Sequence, residues 1–405
     1  MQYRKPNWFH YRLAQVICWF VAVFIFHRKI LRNEIKGKKG PFVVIANHEA
    51  ALDFVNLIGV TCRTMSFVIS SSFFNTLPIK GYLEKMGVIP KQQFQTTVKD
   101  MKRMKSVIDH GAPLVIYPAG LMCEDGLSTP IPEATYKFLK WLHVDVYVAR
   151  TSGTYFAMPK WAKGLRPGRT YLDIYQLFTK EELAALDLED IREKTDEALL
   201  FDAYRDQEHF RVKYKDNDNL NGLENVLYMC PHCLTEFSMQ VKNKNTIYCQ
   251  NCGYEEVSDA YALLSNRRGL GKELRYVSDW SRLIYENLKS RIRRGLEQSL
   301  SAETKIHMIN HNKHKFVEVG QGTVSLCSSH VSIRGQINSR DMTLEIPIAN
   351  IPILPFKPGK YLELQHGGDI YRCVLTDGRL VIKYIHMLKI FYELSRSKAS
   401  AKAPA

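Results

Sequence analysis

Apolar residues follow three rhythms along the chain. From Leu13 to Phe26 they are nearly continuous, "LAQVICWFVAVFIF", with Gln15 the one polar interruption. Further on, short apolar runs alternate with amphipathic stretches. "FVVIA" (42–46), "TMSFVIS" (64–70), "PLVIYPAG" (113–120), "VDVYVARTSG" (144–153) and "TYLDIYQLF" (170–178) read as strands. Residues 96–111 and 133–143 read as helices, the first stopped by Gly111. The alternation predicts an α/β domain over 36–212, closed by a charged helical stretch at 180–207. The polar, turn-rich "KYKDNDNLNG" (213–222) marks its end.

The third rhythm belongs to the C-terminal part. A basic, mostly helical linker is expected over 262–300. Strand patterns then fill 305–398 and end in one apolar-faced helix, "RLVIKYIHMLKIFYELSR". Antiparallel strands capped by one helix resemble a pleckstrin-homology-like or GRAM-like barrel. The tail "SKASAKAPA" (397–405) is low in complexity and expected to be disordered.

Length and composition narrow the class. The 405 residues predict two or three domains. At 45% hydrophobic and 11% aromatic, the chain is not a disordered protein. A formal net charge of +15 calls for an anionic partner. The apolar N-terminal run is shorter than the ~20 residues of a usual membrane span. No small-residue cleavage site follows it, which argues against a signal peptide. Arg4, Lys5, Arg12, Arg28, Lys29 and Arg32 flank it, and Trp8, Phe9 and Trp19 add aromatic weight. Residues 1–35 are therefore expected to be a helical segment lying in the interface of an anionic membrane, on its cytoplasmic face.

Two motifs carry chemistry. In "VIANHEAALDF" (44–54) an apolar strand runs into Asn47, His48 and, after four spacers, Asp53. A carboxylate there can bond one imidazole nitrogen and fix its tautomer. The other nitrogen is then free to take a proton from a hydroxyl. Asn47 can position the backbone or cap the next helix. Further along, "CPHC" and "CQNC" hold the pairs Cys230/Cys233 and Cys249/Cys252, with fifteen residues (234–248) between the pairs. This is the spacing of a four-thiolate zinc site, so 224–258 reads as a zinc-ribbon-like module with structural zinc. An odd cysteine total, nine, fits a reducing compartment better than a disulfide framework.

"NHEAALDF" resembles the Asn-His-x4-Asp motif of the glycerolipid acyltransferases, the family that includes lysophosphatidic acid acyltransferase. "KMGVIPK" (85–91) resembles the family's second block, "VIYPAG" (115–120) its third, and "VDVYVARTSGTY" lies where the fourth, apolar block belongs. The similarity covers roughly 8–180. It implies a membrane-associated enzyme that moves a fatty acyl group from acyl-CoA or acyl-carrier protein to the hydroxyl of a 1-acylglycerol-3-phosphate-like lipid. His48 would be the general base and Asp53 its orienting partner. Asn47, Lys91, Tyr117, Pro118 and Gly120 would bind substrate.

The third block departs from the family. Ala119 stands in place of its glutamate and Met122 in place of its arginine, while Lys91 is the nearest cation to the second block. Methionine cannot make the bidentate phosphate contact of a guanidinium. Either the acceptor differs, or other cations replace the contact, or the site is impaired. The alternative is a lipid-binding adaptor that uses the ribbon and the β domain for protein partners. Nucleic acid is not an expected partner, since the ribbon is not notably basic.

Overall fold

The computed structural model describes residues 4–93, 97–310 and 312–400, with side chains as far as Arg396. The chain divides into two compact units. One holds the residues up to Lys160 with Gly164–Asn217, and the other holds Trp161–Lys163 with the chain from Asp218 onward.

Among the described residues, the first unit contains seven strands: β1 (Lys29–Asn33), β2 (Val43–Ala46), β3 (Ser66–Ser70), β4 (Ile89–Lys91), β5 (Leu114–Ile116), β6 (Val146–Ser152) and β7 (Tyr171–Phe178). They form one sheet in the order β1-β7-β6-β2-β5-β3-β4. The five strands from β6 to β4 run parallel, whereas β7 pairs antiparallel with β6 and takes β1 with it. Every residue of β2 is buried, as a central strand covered on both faces requires.

Among the described residues, ten helices surround the sheet: α1 (Trp8–Phe20), α2 (Asp53–Ile58), α3 (Ser71–Thr76), α4 (Lys80–Lys85), α5 (Val98–Asp109), α6 (Ala134–Leu142), α7 (Thr154–Ala157), α8 (Lys180–Ala185), α9 (Leu188–Leu199) and α10 (Ala203–Phe210). Val43, Ile45 and Val148 of the sheet share a core with Val107 of α5, Leu139 of α6 and Ile191 of α9. The charged stretch 180–207 is helical, as expected, and is divided among three helices. Asp187 and Asp202 break it, because each side chain accepts an N–H of the helix that follows, Asp190 at 2.9 Å and Tyr204 at 3.0 Å.

The apolar N-terminal helix begins earlier than its apolar run. Asn7 caps it by accepting the His10 amide at 3.2 Å, and a turn of π-helix, Val21–Ile25, extends it. Trp8–Ile25 thus has 18 residues with mean hydropathy 1.4, long and apolar enough to cross a membrane by length and composition. One face packs on the end of α2 and the chain that follows it. The Tyr11 hydroxyl accepts the Met65 amide at 2.8 Å, and the Gln15 amide donates to the Ile58 and Thr61 carbonyls at 3.0 Å. The opposite face leaves Trp8, Phe9, Val16, Ile17, Phe20 and Phe24 between 53% and 67% exposed.

The second unit opens with β8 (Met239–Lys242), β9 (Thr246–Cys249), β10 (Glu255–Ser258) and β11 (Leu264–Asn266), an antiparallel sheet in the order β11-β10-β9-β8. The linker is less helical than its composition suggests: β11 belongs to the sheet, and the one helix, α11, is Val277–Arg293. Next come β12 (Ser299–Asn310), β13 (Lys315–Cys327), β14 (His330–Ile337), β15 (Arg340–Pro347), β16 (Phe356–Lys357), β17 (Tyr361–His366) and β18 (Asp369–Leu375). They form a mainly β region, an antiparallel sheet in the order β15-β14-β13-β12-β18-β17-β16. Helix α12 (Leu380–Ser400) buries Val381, Ile385 and Leu388. The end of the expected disordered tail, 401–405, lies outside the described residues, and α12 includes its first four residues.

Candidate active site

Strand β2 delivers Asn47 and His48 at its C-terminal end, the edge where α/β sheets place ligands. A short turn returns the chain so that Asp53 opens α2, its amide bonded to the Ala50 carbonyl at 3.2 Å. The turn brings Asp53 Oδ2 to 2.8 Å from His48 Nδ1 and 3.0 Å from the Ala50 amide. Asp53 is fully buried, whereas the His48 side chain keeps 21% of its surface open. With Nδ1 engaged, Nε2 is left without a hydrogen-bond partner among the described residues. The Tyr117 ring lies 4.6 Å from the imidazole, centroid to centroid, and limits its rotation.

Asn47 does not face the opening. It is buried and spends both ends of its amide on Thr151 of β6, donating to the carbonyl at 2.7 Å and accepting the N–H at 2.8 Å. It acts there as a clamp between β2 and β6.

The third-block turn lies across the dyad loop. The Cys123 amide donates to the His48 carbonyl at 3.3 Å. Gly120 takes φ +66°, the left-handed region that its lack of a Cβ permits, and its amide bonds the Tyr117 carbonyl at 3.0 Å, with Pro118 inside the turn. Its carbonyl accepts Gln93 Nε2 at 2.6 Å, and Gln93 Oε1 accepts the Ser70 hydroxyl at 3.1 Å. Gln93 therefore ties the end of β3 to the third block. The Tyr117 hydroxyl is buried without a partner among the described residues, and burial pushes it well above the usual phenol range.

Lys91 belongs to the second block, and Lys160 bonds the chain just after the third. Lys91 ends β4, bonds the Gln92 carbonyl at 3.1 Å, and is pulled below the usual lysine range by burial. Lys160 donates to the Met122 carbonyl at 3.1 Å, and burial lowers it to about 8 against the opposing pull of Glu124.

Glu49 was not legible as a functional residue from its position in the motif. It is fully buried behind His48 and accepts the Thr154 hydroxyl at 3.0 Å and the Tyr155 amide at 2.9 Å. Burial, with the Asp53 charge beside it, raises its carboxyl to about 8.

In the second unit the four paired cysteines converge. Their sulfurs all lie within 4.8 Å of one another, with 3.7 Å between Cys230 and Cys252 and between Cys233 and Cys249. A zinc–sulfur bond of about 2.3 Å sets the edge of a tetrahedron at about 3.8 Å, so the cluster has the dimensions of a four-thiolate centre. The same spacing is far beyond the ~2 Å of a disulfide. The Leu234 and Gly253 amides donate to the Cys230 and Cys249 carbonyls at 3.0 Å and close the two knuckle turns.

Residues 27–150 match the acyltransferase family model. The chloroplastic 1-acyl-sn-glycerol-3-phosphate acyltransferase of Brassica napus is 23% identical over 170 residues, 40% of this chain and 48% of that protein. The chain thus spans about half the length of the curated relative it matches. The 1-acyl-sn-glycerophosphate acyltransferase PlsC of Thermotoga maritima, a solved structure, has 17% sequence identity and a TM-score of 0.42, over 50% of this chain and 79% of that one. The first unit carries an acyltransferase domain. The family it resembles is that of the glycerolipid acyltransferases.

Proposed function

We propose that the chain is a membrane-surface O-acyltransferase. It takes a fatty acyl group from acyl-CoA or acyl-carrier protein and transfers it to the hydroxyl of a 1-acylglycerol-3-phosphate-like lipid. The observation that carries this reading is the 2.8 Å bond from Asp53 to His48 Nδ1, which leaves Nε2 open. In the reaction the acceptor oxygen attacks the thioester carbonyl carbon while Nε2 takes the hydroxyl proton. The tetrahedral intermediate then breaks its carbon–sulfur bond, and the imidazolium returns the proton to the departing thiolate. Asp53 holds the ring and stabilises its cationic form. Asn47 acts as a clamp in this account. Lys91, Tyr117, Pro118 and Gly120 line the substrate side, with Lys160 a further cation for an anionic acceptor where Ala119 and Met122 supply none.

The exposed apolar face of α1 and the +15 charge support contact with an anionic membrane surface, on the cytoplasmic side. The cysteine cluster supports structural zinc, held by Cys230, Cys233, Cys249 and Cys252 as a folding staple with no open coordination position. Seven antiparallel strands closed by α12 support a pleckstrin-homology-like or GRAM-like C-terminal region, a candidate surface for a protein partner.

The experiment is thiol release from acyl-CoA and from acyl-carrier protein, with lysophosphatidic acid, lysophosphatidylcholine or no acceptor. Release that requires lysophosphatidic acid, with the diacyl product seen by mass spectrometry, is the expected result. No release with either donor and any acceptor contradicts the reading and favours the lipid-binding adaptor.

A further inference from the structure

A cleft of about 620 Å³ opens in the first unit at the end of the sheet opposite His48. Its wall is the basic turn before β2, and His48 follows the same strand, so β2 separates the two. Among the described residues, five cations line it, Arg12, Lys36, Lys38, Lys39 and Arg63, and no acidic side chain does. Ile35, fully buried, anchors the turn, and the Lys36 and Lys38 amides bond the Asn33 and Ile35 carbonyls. Lys38 is neutralised by Asp145 at 3.1 Å. Arg12 spends its guanidinium on neutral acceptors, Gln15 Oε1 at 2.7 Å and the Cys62 carbonyl at 2.6 Å. Lys36 and Lys39 are exposed, with no ion pair or hydrogen bond from their side chains among the described residues.

The rest of the wall is mixed: Gln15 and Thr61 are polar, and Val16, Trp19 and Val60 are apolar. Val16 and Trp19 of α1 line the cleft and belong to the exposed apolar side of that helix. Unneutralised lysines beside an exposed apolar helix match the two halves of a phospholipid, an anionic headgroup and its acyl region. A soluble anion would use the lysines and leave Val16 and Trp19 in water.

We infer that this cleft seats the phosphate of an anionic bilayer phospholipid, at a site separate from the one where His48 acts. The inference rests on the membrane-surface reading above and adds the place on the chain that holds the anionic headgroup. The test is co-sedimentation of the full chain with vesicles of phosphatidylcholine alone or phosphatidylcholine with phosphatidylglycerol. It compares wild type with Lys36→Ala/Lys39→Ala and with Phe20→Ser, and is repeated with excess soluble glycerol 3-phosphate.

The lysine variant is expected to lose roughly thirtyfold of its affinity for the phosphatidylglycerol vesicles, about 2 kcal/mol for the pair, and to keep its binding to phosphatidylcholine. Phe20→Ser is expected to weaken binding to both. Equal binding of wild type and the lysine variant to phosphatidylglycerol overturns the inference and leaves the membrane reading standing. Release by glycerol 3-phosphate overturns it in favour of a small-anion site. Wild type bound to neither vesicle removes the membrane reading and the inference together.

Discussion

A single oxygen of Asp53, Oδ2, stands 2.8 Å from His48 Nδ1 and 3.0 Å from the Ala50 amide. The backbone bond fixes the carboxyl independently of the ring, so the ring is aimed by a group that is itself held. Asp53→Asn retains the shape and removes the charge. It is expected to lower the rate of thioester cleavage by roughly 10²–10⁴, with a circular dichroism spectrum like wild type. A rate within a few-fold of wild type counts against Asp53 as the orienting group.

Asn47 and Thr151 exchange two hydrogen bonds in a buried setting. Asn47→Ala strands both the Thr151 N–H and carbonyl. The expected loss is about 2–4 kcal/mol of unfolding free energy in urea, beyond any effect on activity. A variant as stable as wild type places Asn47 on the substrate side instead.

Glu49 gives a pH dependence of known sign. Its carboxyl sits at about 8 in the folded chain, raised by burial from the ordinary glutamate value of 4.5. Between those values the unfolded chain releases the proton that the folded chain retains. The Glu49 contribution is therefore full at low pH and is lost as pH rises through about 8. Glu49→Gln can still accept from Thr154 and Tyr155 and does not ionise. It is expected to match wild type near pH 4.5 and to exceed it near pH 8 by on the order of a few kcal/mol, read from melting curves across that range. Parallel curves for the two proteins contradict a protonated Glu49.

The parts of the site that a reader can find in the sequence are those made by neighbours. His48 and Asp53 are five residues apart, and one turn into α2 joins them. The cysteine pairs are legible for the same reason, each knuckle being local. Asn47 meets Thr151 and Glu49 meets Thr154 more than a hundred residues on, and only the pairing of β2 with β6 creates those contacts. Lys160 under Met122 and Gln93 under Gly120 depend equally on the fold. In the fold, buried strands with continuous apolar runs are read correctly. The division of 180–207 depends on two aspartates whose capping role a charged composition conceals.

The sulfur cluster predicts one zinc per chain, measured by atomic emission on protein purified without added metal. Cys249→Ser is expected to lose that zinc and to lower the melting temperature by several degrees, with thiol release still dependent on His48. Metal-free protein with the wild-type melting temperature contradicts a structural centre.

The most direct measurement of the central claim is thiol release from acyl-CoA by His48→Ala beside wild type, with lysophosphatidic acid as acceptor and the fold of both checked by melting temperature. The account predicts at least a ~10²-fold loss at an unchanged melting temperature, since the proton acceptor is removed from a side chain that is partly open. Equal release by the two proteins contradicts general-base catalysis by His48.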